Sequence, residues 1–237
     1  MAGFRQLEDK GAFILYDPDL IPQIQDHWFQ LDYWQSQAAV LGGAPGRGTS
    51  CFLQTPAGEA VWRHYHRGGL PGRLIKDRYL WTGLKQTRAW QEMYLTRELL
   101  DRGLPVPTPL AARVKRQGLT YQADLMTLRI PAAVPLSDYL LEVDEQRQQQ
   151  VMQLTAQCVA RFHQQGLNHS DLNPRNLLIQ PQDNKIWLID FDRCQLGSPN
   201  PNQAASNLAR LYRGLRKLDP VRAEAWYQQL LSSYQQA

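Results

Sequence analysis

Read from its amino terminus, the chain first shows short apolar runs broken by turn residues, then apolar positions spaced as in helices. Residues 13–16 (FILY) are expected as a strand, stopped by Asp17 and Pro18. Ile21, Ile24, Trp28, Leu31 and Trp34 recur at helical spacing and predict an amphipathic helix whose tryptophans pack in a core. Residues 38–41 lead into GGAPGRGTSCFL, a glycine-rich turn between two strand candidates, and TPAG turns the chain into the next strand, AVWRHY. The stretch TRAWQEMYLTRELL predicts a helix that Gly103 ends. Pro105, Pro107 and Pro109 then force an extended connection, because proline cannot continue a helix. Strands follow at 111–115 and 121–127 around an RQG turn, residues 128–135 form the expected hinge, and Ser137 is expected to cap a helix over DYLLEV. Val151, Leu154, Cys158, Val159 and Phe162 share one helical stripe between Gln146 and Gln165, closed by Gly166. Residues 177–179 and 186–189 read as two strands joined by PQDN. Leu208, Leu211, Tyr212, Leu215 and Leu218 mark a last pair of helices. The class expected is α+β.

Composition narrows the setting. With 237 residues, of which 43% are hydrophobic, the chain is long enough for one or two cores, and a two-lobed enzyme fits. The start, MAGFRQLEDKGAF, is polar and unlike a secretory signal, and no run approaches the roughly 18 to 20 apolar residues of a spanning helix. A cytoplasmic protein, at most peripheral to a membrane, is expected. Cys51, Cys158 and Cys194 are scattered without a CxxC or paired histidines, so neither zinc nor a disulfide framework is expected, and the thiols should be reduced and mostly buried. The formal charge of +4 is mild but uneven, since Arg63, Arg67, Arg73, Lys76 and Arg78 are opposed only by Asp77. Such a run is ordinarily a solvated face. No nucleic-acid partner is expected and no protein partner is evident.

Chemistry concentrates in residues 169–192, HSDLNPRNLLIQPQDNKIWLIDFD. In the kinase pattern HxDxxxxN, followed by a hairpin and DFG, the first aspartate takes the proton of the attacking hydroxyl; here it is Asp171. The asparagine five positions on and the aspartate beyond the hairpin, Asn176 and Asp190, are the expected oxygen ligands of Mg2+ on the phosphates of ATP. A hairpin returns its outer ends to one another, which would make these two neighbours. Taken singly, Asp171 could cap a turn and Asp190 could merely end a strand; three in register favour phosphoryl transfer. His169 is expected to orient backbone around the aspartate rather than carry a proton.

HSDLNPRN followed by LIDFD, with DFD in place of DFG, resembles the lipopolysaccharide core sugar kinases, and within them those acting on 3-deoxy-D-manno-octulosonic acid (Kdo). GRGTSCF, VWRHYHRGGLPG, the stretch from TRAWQE to GLPVPTPLAARV, and NLARLYRGLRK extend the likeness over roughly residues 40–218. The resemblance implies a bilobal protein-kinase-like fold. Residues 1–128 would form an N-lobe, a small antiparallel β-sheet with a helix, and residues 129–237 a mainly helical, shortened C-lobe holding the catalytic loop, metal site and acceptor site. Gly46 and Gly48, in a turn where backbone amides can approach phosphates, would bind nucleotide, although the third glycine position is Cys51. Arg63 stands where a protein kinase has its phosphate-binding lysine, with Lys76 and Lys85 as fallback candidates, and Glu92 rather than Glu98 would be the ion-pair partner. Asp192 replaces the DFG glycine with no role assigned. No APE follows DFD, which disfavours peptide substrates. The implied acceptor is the 4-hydroxyl of Kdo on a Kdo-lipid A precursor. The implied place is the cytoplasmic face of the inner membrane, with the basic run, Tyr79 and Trp81 docking on an anionic membrane surface. A kinase for heptose or an aminoglycoside, or a non-catalytic pseudokinase module, would share much of this sequence pattern.

Overall fold

The computed structural model describes residues 3–9, 11–43, 50–66 and 77–237; Gly46, Gly48, Arg67, Arg73 and Lys76 lie outside them. Two compact units emerge, one of Met1–Arg97 with Thr108–Arg129, the other of Glu98–Pro107 with Ile130–Ala237.

The first unit is built on an antiparallel sheet. Its strands are β1 (Arg5–Asp9), β2 (Ala12–Tyr16), β3 (Val40–Gly43), β4 (Ser50–Thr55), β5 (Gly58–His64), β6 (Tyr79–Leu80), β7 (Pro109–Gln117) and β8 (Thr120–Leu128). The order is β1-β2-β7-β8-β5-β4-β3, with β6 also paired to β8. Both faces are covered, which is why FILY is a continuous apolar run rather than an alternating one. Ile14 and Tyr16 face a core with Ile21, Ile24, Trp28, Trp34, Leu53 and Trp62. Leu15 faces the opposite core with Tyr65, Trp90, Met93, Val114 and Tyr121, against helix α2 (Arg88–Asp101). Buried Arg113 ties strand to loop, 2.9 Å from Asp26 and 2.7 Å from Asp124.

Two expectations change here, and one strand, β1, had no signal in the sequence. The helix expected across Ile21 to Trp34 is instead a 3-10 turn, Asp26–Phe29, and a short α1, Leu31–Ser36, separated by extended Gln30. Ile21, Ile24, Trp28 and Trp34 are still buried, whereas Leu31 is exposed, and Asp26 must reach Arg113, which breaks the helix. β1 has the polar sequence RQLED and no apolar alternation; it is a strand because β2 offers it a ladder. Tyr79 is core, not an exposed interfacial ring: it pairs opposite Tyr121 and both are buried.

In the second unit, α3 is Leu136–Glu142, α4 is Glu145–Gln164, α5 is Pro201–Leu218 and α6 is Ala223–Tyr234. Short strands β9 (Val134–Pro135), β10 (Leu167–Asn168), β11 (Leu177–Gln180), β12 (Lys185–Leu188) and β13 (Gln195–Leu196) carry the loops between them. Asp144 caps α4 by accepting from the Arg147 amide at 2.8 Å. Gly166 ends that helix region at φ +81°, and a Cβ there would lie 1.8 Å from the Gly197 carbonyl oxygen, so only glycine fits. Ser137 does not cap α3; it lies inside the helix, buried, with Pro135 at the cap. The segment 98–107 joins this unit through the Leu188 amide, 3.0 Å from the Pro105 carbonyl, and Arg161, 3.1 Å from that of Gly103. Only Cys158 of the three free cysteines is buried, and burial pushes its thiol up to about 12. No described helix is long and apolar enough to cross a membrane.

Candidate active site

The β11–β12 hairpin pairs Leu177 with Leu188, and Asn184 at φ +52° closes the turn. One further bond extends the ladder past the strands, from the Ile189 amide to the Asn176 carbonyl at 3.0 Å. Asn176 therefore lies opposite Ile189, one residue from Asp190. Asp190 departs from the strand at φ +65°, a left-handed conformation that an aspartate tolerates better than most residues and that is common at functional sites.

Asp171 is exposed, and the peptide groups on both of its sides are tied down. Its amide donates to His169 Nδ1 at 3.2 Å, and its carbonyl accepts from Asn173 Nδ2 at 3.1 Å and Asn176 Nδ2 at 2.9 Å. His169 Nε2 lies 3.2 Å from the Ile189 carbonyl. A carbonyl only accepts, so Nε2 carries the proton and Nδ1 is the acceptor. Burial lowers the His169 pKa and so reinforces this neutral form. One imidazole thus bridges the loop 169–176 and the end of the hairpin. The DFD segment is fastened as well, by Ser170 Oγ donating to the Asp192 carbonyl at 2.6 Å and by the Ser170 amide 3.3 Å from Cys194 Sγ. The second unit thus gathers Asp171, Asn176 and Asp190 on one short stretch of connected backbone.

In the first unit, β5 and α2 bring Arg63 and Glu92 together at 2.5 Å. Glu92 is buried, Tyr65 also donates to it, and the Arg63 guanidinium lies 4.7 Å from the centre of the Tyr65 ring. Glu98 pairs instead with Arg102 one turn along the chain, at 2.6 Å, on the surface. Lys85 is exposed on a 3-10 turn, Leu84–Gln86.

Sequence reasoning missed the support that α5 gives the loop. Arg210 Nη1 donates to the His169 carbonyl at 3.2 Å and to Asn207 Oδ1 at 3.2 Å, while wholly buried Asn207 reaches Asn168 at 3.3 Å. Gly214 lets the helix approach so closely that a Cβ would lie 2.5 Å from Pro174 Cδ. The available signal was the polar residues within the apolar helix NLARLYRGLRK.

Residues 31–234 match the model of the lipopolysaccharide kinase (Kdo/WaaP) family. The 3-deoxy-D-manno-octulosonic acid kinase of Vibrio parahaemolyticus is 43% identical over 213 residues, which is 90% of this chain and 88% of that protein. The protein of the same name from Haemophilus influenzae is 38% identical over 219 residues, 90% of each chain. Among solved structures, WaaP in complex with acyl carrier protein matches with a TM-score of 0.56 at 17% identity, covering 98% of this chain and 89% of that one, a likeness of fold.

Proposed function

The chain belongs to the lipopolysaccharide kinase (Kdo/WaaP) family and is a phosphotransferase with a hydroxyl acceptor, and we propose that it transfers the γ-phosphoryl group of ATP to the Kdo sugar of a Kdo-lipid A precursor, at the 4-hydroxyl. The observation that carries this reading is the tethered loop presenting exposed Asp171 next to Asn176 and the left-handed Asp190. The Asp171 carboxylate accepts the acceptor's hydroxyl proton as the sugar oxygen attacks phosphorus, giving a phosphate monoester and ADP. Because the loop's peptide groups are already satisfied, the carboxylate is held toward solvent where an acceptor can reach it.

Asn176 Oδ1 and the Asp190 carboxylate would hold Mg2+. The donor set fits, since Asn176 spends its Nδ2 on the Asp171 carbonyl and keeps its oxygen for a hard cation. Bound there, magnesium would neutralise negative charge on the nucleotide phosphates. Residues 1–128 serve the nucleotide in this reading, through Gly46 and Gly48 and through the Arg63 guanidinium, which Glu92 orients and whose planar fork suits phosphate oxygens. Residues 129–237 supply the catalytic loop and the acceptor site. The acceptor's lipid places the enzyme on an anionic membrane surface, peripheral on the cytoplasmic face of the inner membrane.

The test is the mass of a Kdo-lipid A precursor after incubation with the protein, ATP and magnesium. A gain of one phosphate located on the sugar is expected. ADP formation with a heptose or aminoglycoside acceptor, and none with Kdo-lipid A, would overturn the substrate assignment.

A further inference from the structure

Where the β7–β8 turn meets β6, the first unit's sheet ends in two leucines that the fold does not bury. Leu119 is 81% exposed and Leu80 72%; among the described large apolar side chains only Val221 exceeds them. They are neighbours along the backbone. Leu80 pairs with Thr120, and the Trp81 amide donates to the Leu119 carbonyl at 2.9 Å. Sheet alternation explains Leu80: Tyr79 and Tyr121, paired directly before it, point into the core, so Leu80 and Thr120 point away. Leu119 follows Gly118 at φ +61° in a turn, a position where a polar residue would serve the turn as well.

The surroundings are cationic. Segments 78–85 and 115–122 contain Arg78, Lys85, Lys115 and Arg116 and no aspartate or glutamate. Arg116 lies 4.8 Å from the centre of the half-buried Trp81 ring and donates to the Gly118 carbonyl at 3.1 Å. The nearby carboxylates are largely engaged: Asp77 with His64 and Gln122, Asp26 with Arg113, and Asp9 with the Asp26 amide; Glu8 on β1 is exposed. Two exposed leucines and an indole beneath a guanidinium, on segments whose only charged residues are basic, make an apolar tip with positive charge beside it, although Lys115 itself lies 4.0 Å from Asp26; such a combination enters a headgroup layer with charge attracted to anionic lipid.

We propose that this tip is the membrane-docking surface of the enzyme, with Leu80 and Leu119 entering the boundary between headgroups and acyl chains of an anionic bilayer. The proposal rests on the lipid-acceptor reading above and gives that reading a location on the molecule. It also moves the apolar part of docking from Tyr79, which is buried, to residues on either side of the ladder.

The test is the double variant L80S/L119S, in which both replaced side chains are exposed, with unchanged thermal unfolding as the folding control. Partitioning onto vesicles of phosphatidylglycerol and phosphatidylethanolamine is measured by sedimentation at low salt, where screening is least. The variant should partition roughly tenfold less than the parent. It should also show a raised apparent KM for Kdo-lipid A precursor presented in those vesicles, and parental activity on a deacylated, water-soluble Kdo acceptor. Parental partitioning of the variant would overturn the proposal. So would a change in self-association by sedimentation velocity with partitioning unaltered, which would make the tip a contact between copies of this chain. Failure of both proteins to phosphorylate the soluble acceptor would count against the Kdo-acceptor reading alone, because vesicle partitioning reads the surface independently.

Discussion

At the scale of single residues, the candidate site depends on where Asp171 is held. Its carboxylate faces solvent, while His169, Asn173 and Asn176 secure the peptide groups on either side. Asp171→Asn keeps that scaffold and removes only the carboxylate proposed to accept the proton. We expect turnover to fall by roughly 10²- to 10⁴-fold, the usual worth of a positioned general base, with ATP affinity unchanged. Steady-state kinetics with a nucleotide-binding titration checks this, and parental turnover would exclude Asp171 as the base. The neighbours of Asp171 were legible in the sequence only as spacing. Which nitrogen of His169 carries its proton became clear only from the Ile189 carbonyl it faces.

At the scale of elements, the loop that carries Asp171 is bounded by the β11–β12 hairpin and by α5. The hairpin was readable because two apolar runs flank a turn and each run is short, a local signal. The role of α5 was not, since Asn207, Arg210 and Gly214 act on residues some 40 positions earlier in the chain. Gly214→Ala would place a methyl 2.5 Å from Pro174 Cδ and 3.4 Å from Asn173 Cβ, so α5 or the loop must shift. Alanine favours the helix itself, so the cost falls on the contact. Turnover should drop by roughly 10- to 100-fold through misplacement of the loop, with the helical circular dichroism spectrum retained. A parental kcat would show that this approach does not set the loop's position.

At the scale of the molecule, histidines give stability opposite pH dependences. Burial pulls His163 from 6.5 down to about 4, and its Nδ1 lies 2.8 Å from the Tyr234 hydroxyl. Its folded pKa is below its unfolded one, so its contribution is complete above pH 6.5 and is lost as pH falls from there toward 4. For His64, burial lowers the pKa but Asp124 and Asp77 more than reverse this; its contribution is present at low pH and lost as pH rises through the raised value. His163→Gln should therefore lose less Tm than the parent between neutral pH and pH 5, with His64 unchanged in both, and parallel Tm curves would contradict the assignment. The sequence alone determined the features that depend on near neighbours: the hairpin that brings Asn176 back beside Asp190, helices α2 and α4 with their terminal glycines, and the α+β class. Tertiary structure alone decided that the segment before β3 breaks at Gln30 so that Asp26 meets Arg113, that polar β1 completes the sheet, that Tyr79 is buried while Leu80 and Leu119 protrude, and that α5 braces the loop. The physical reason is that periodicity reports which face of an element is apolar, whereas buried charges, edge strands and close helix approaches depend on partners far along the chain.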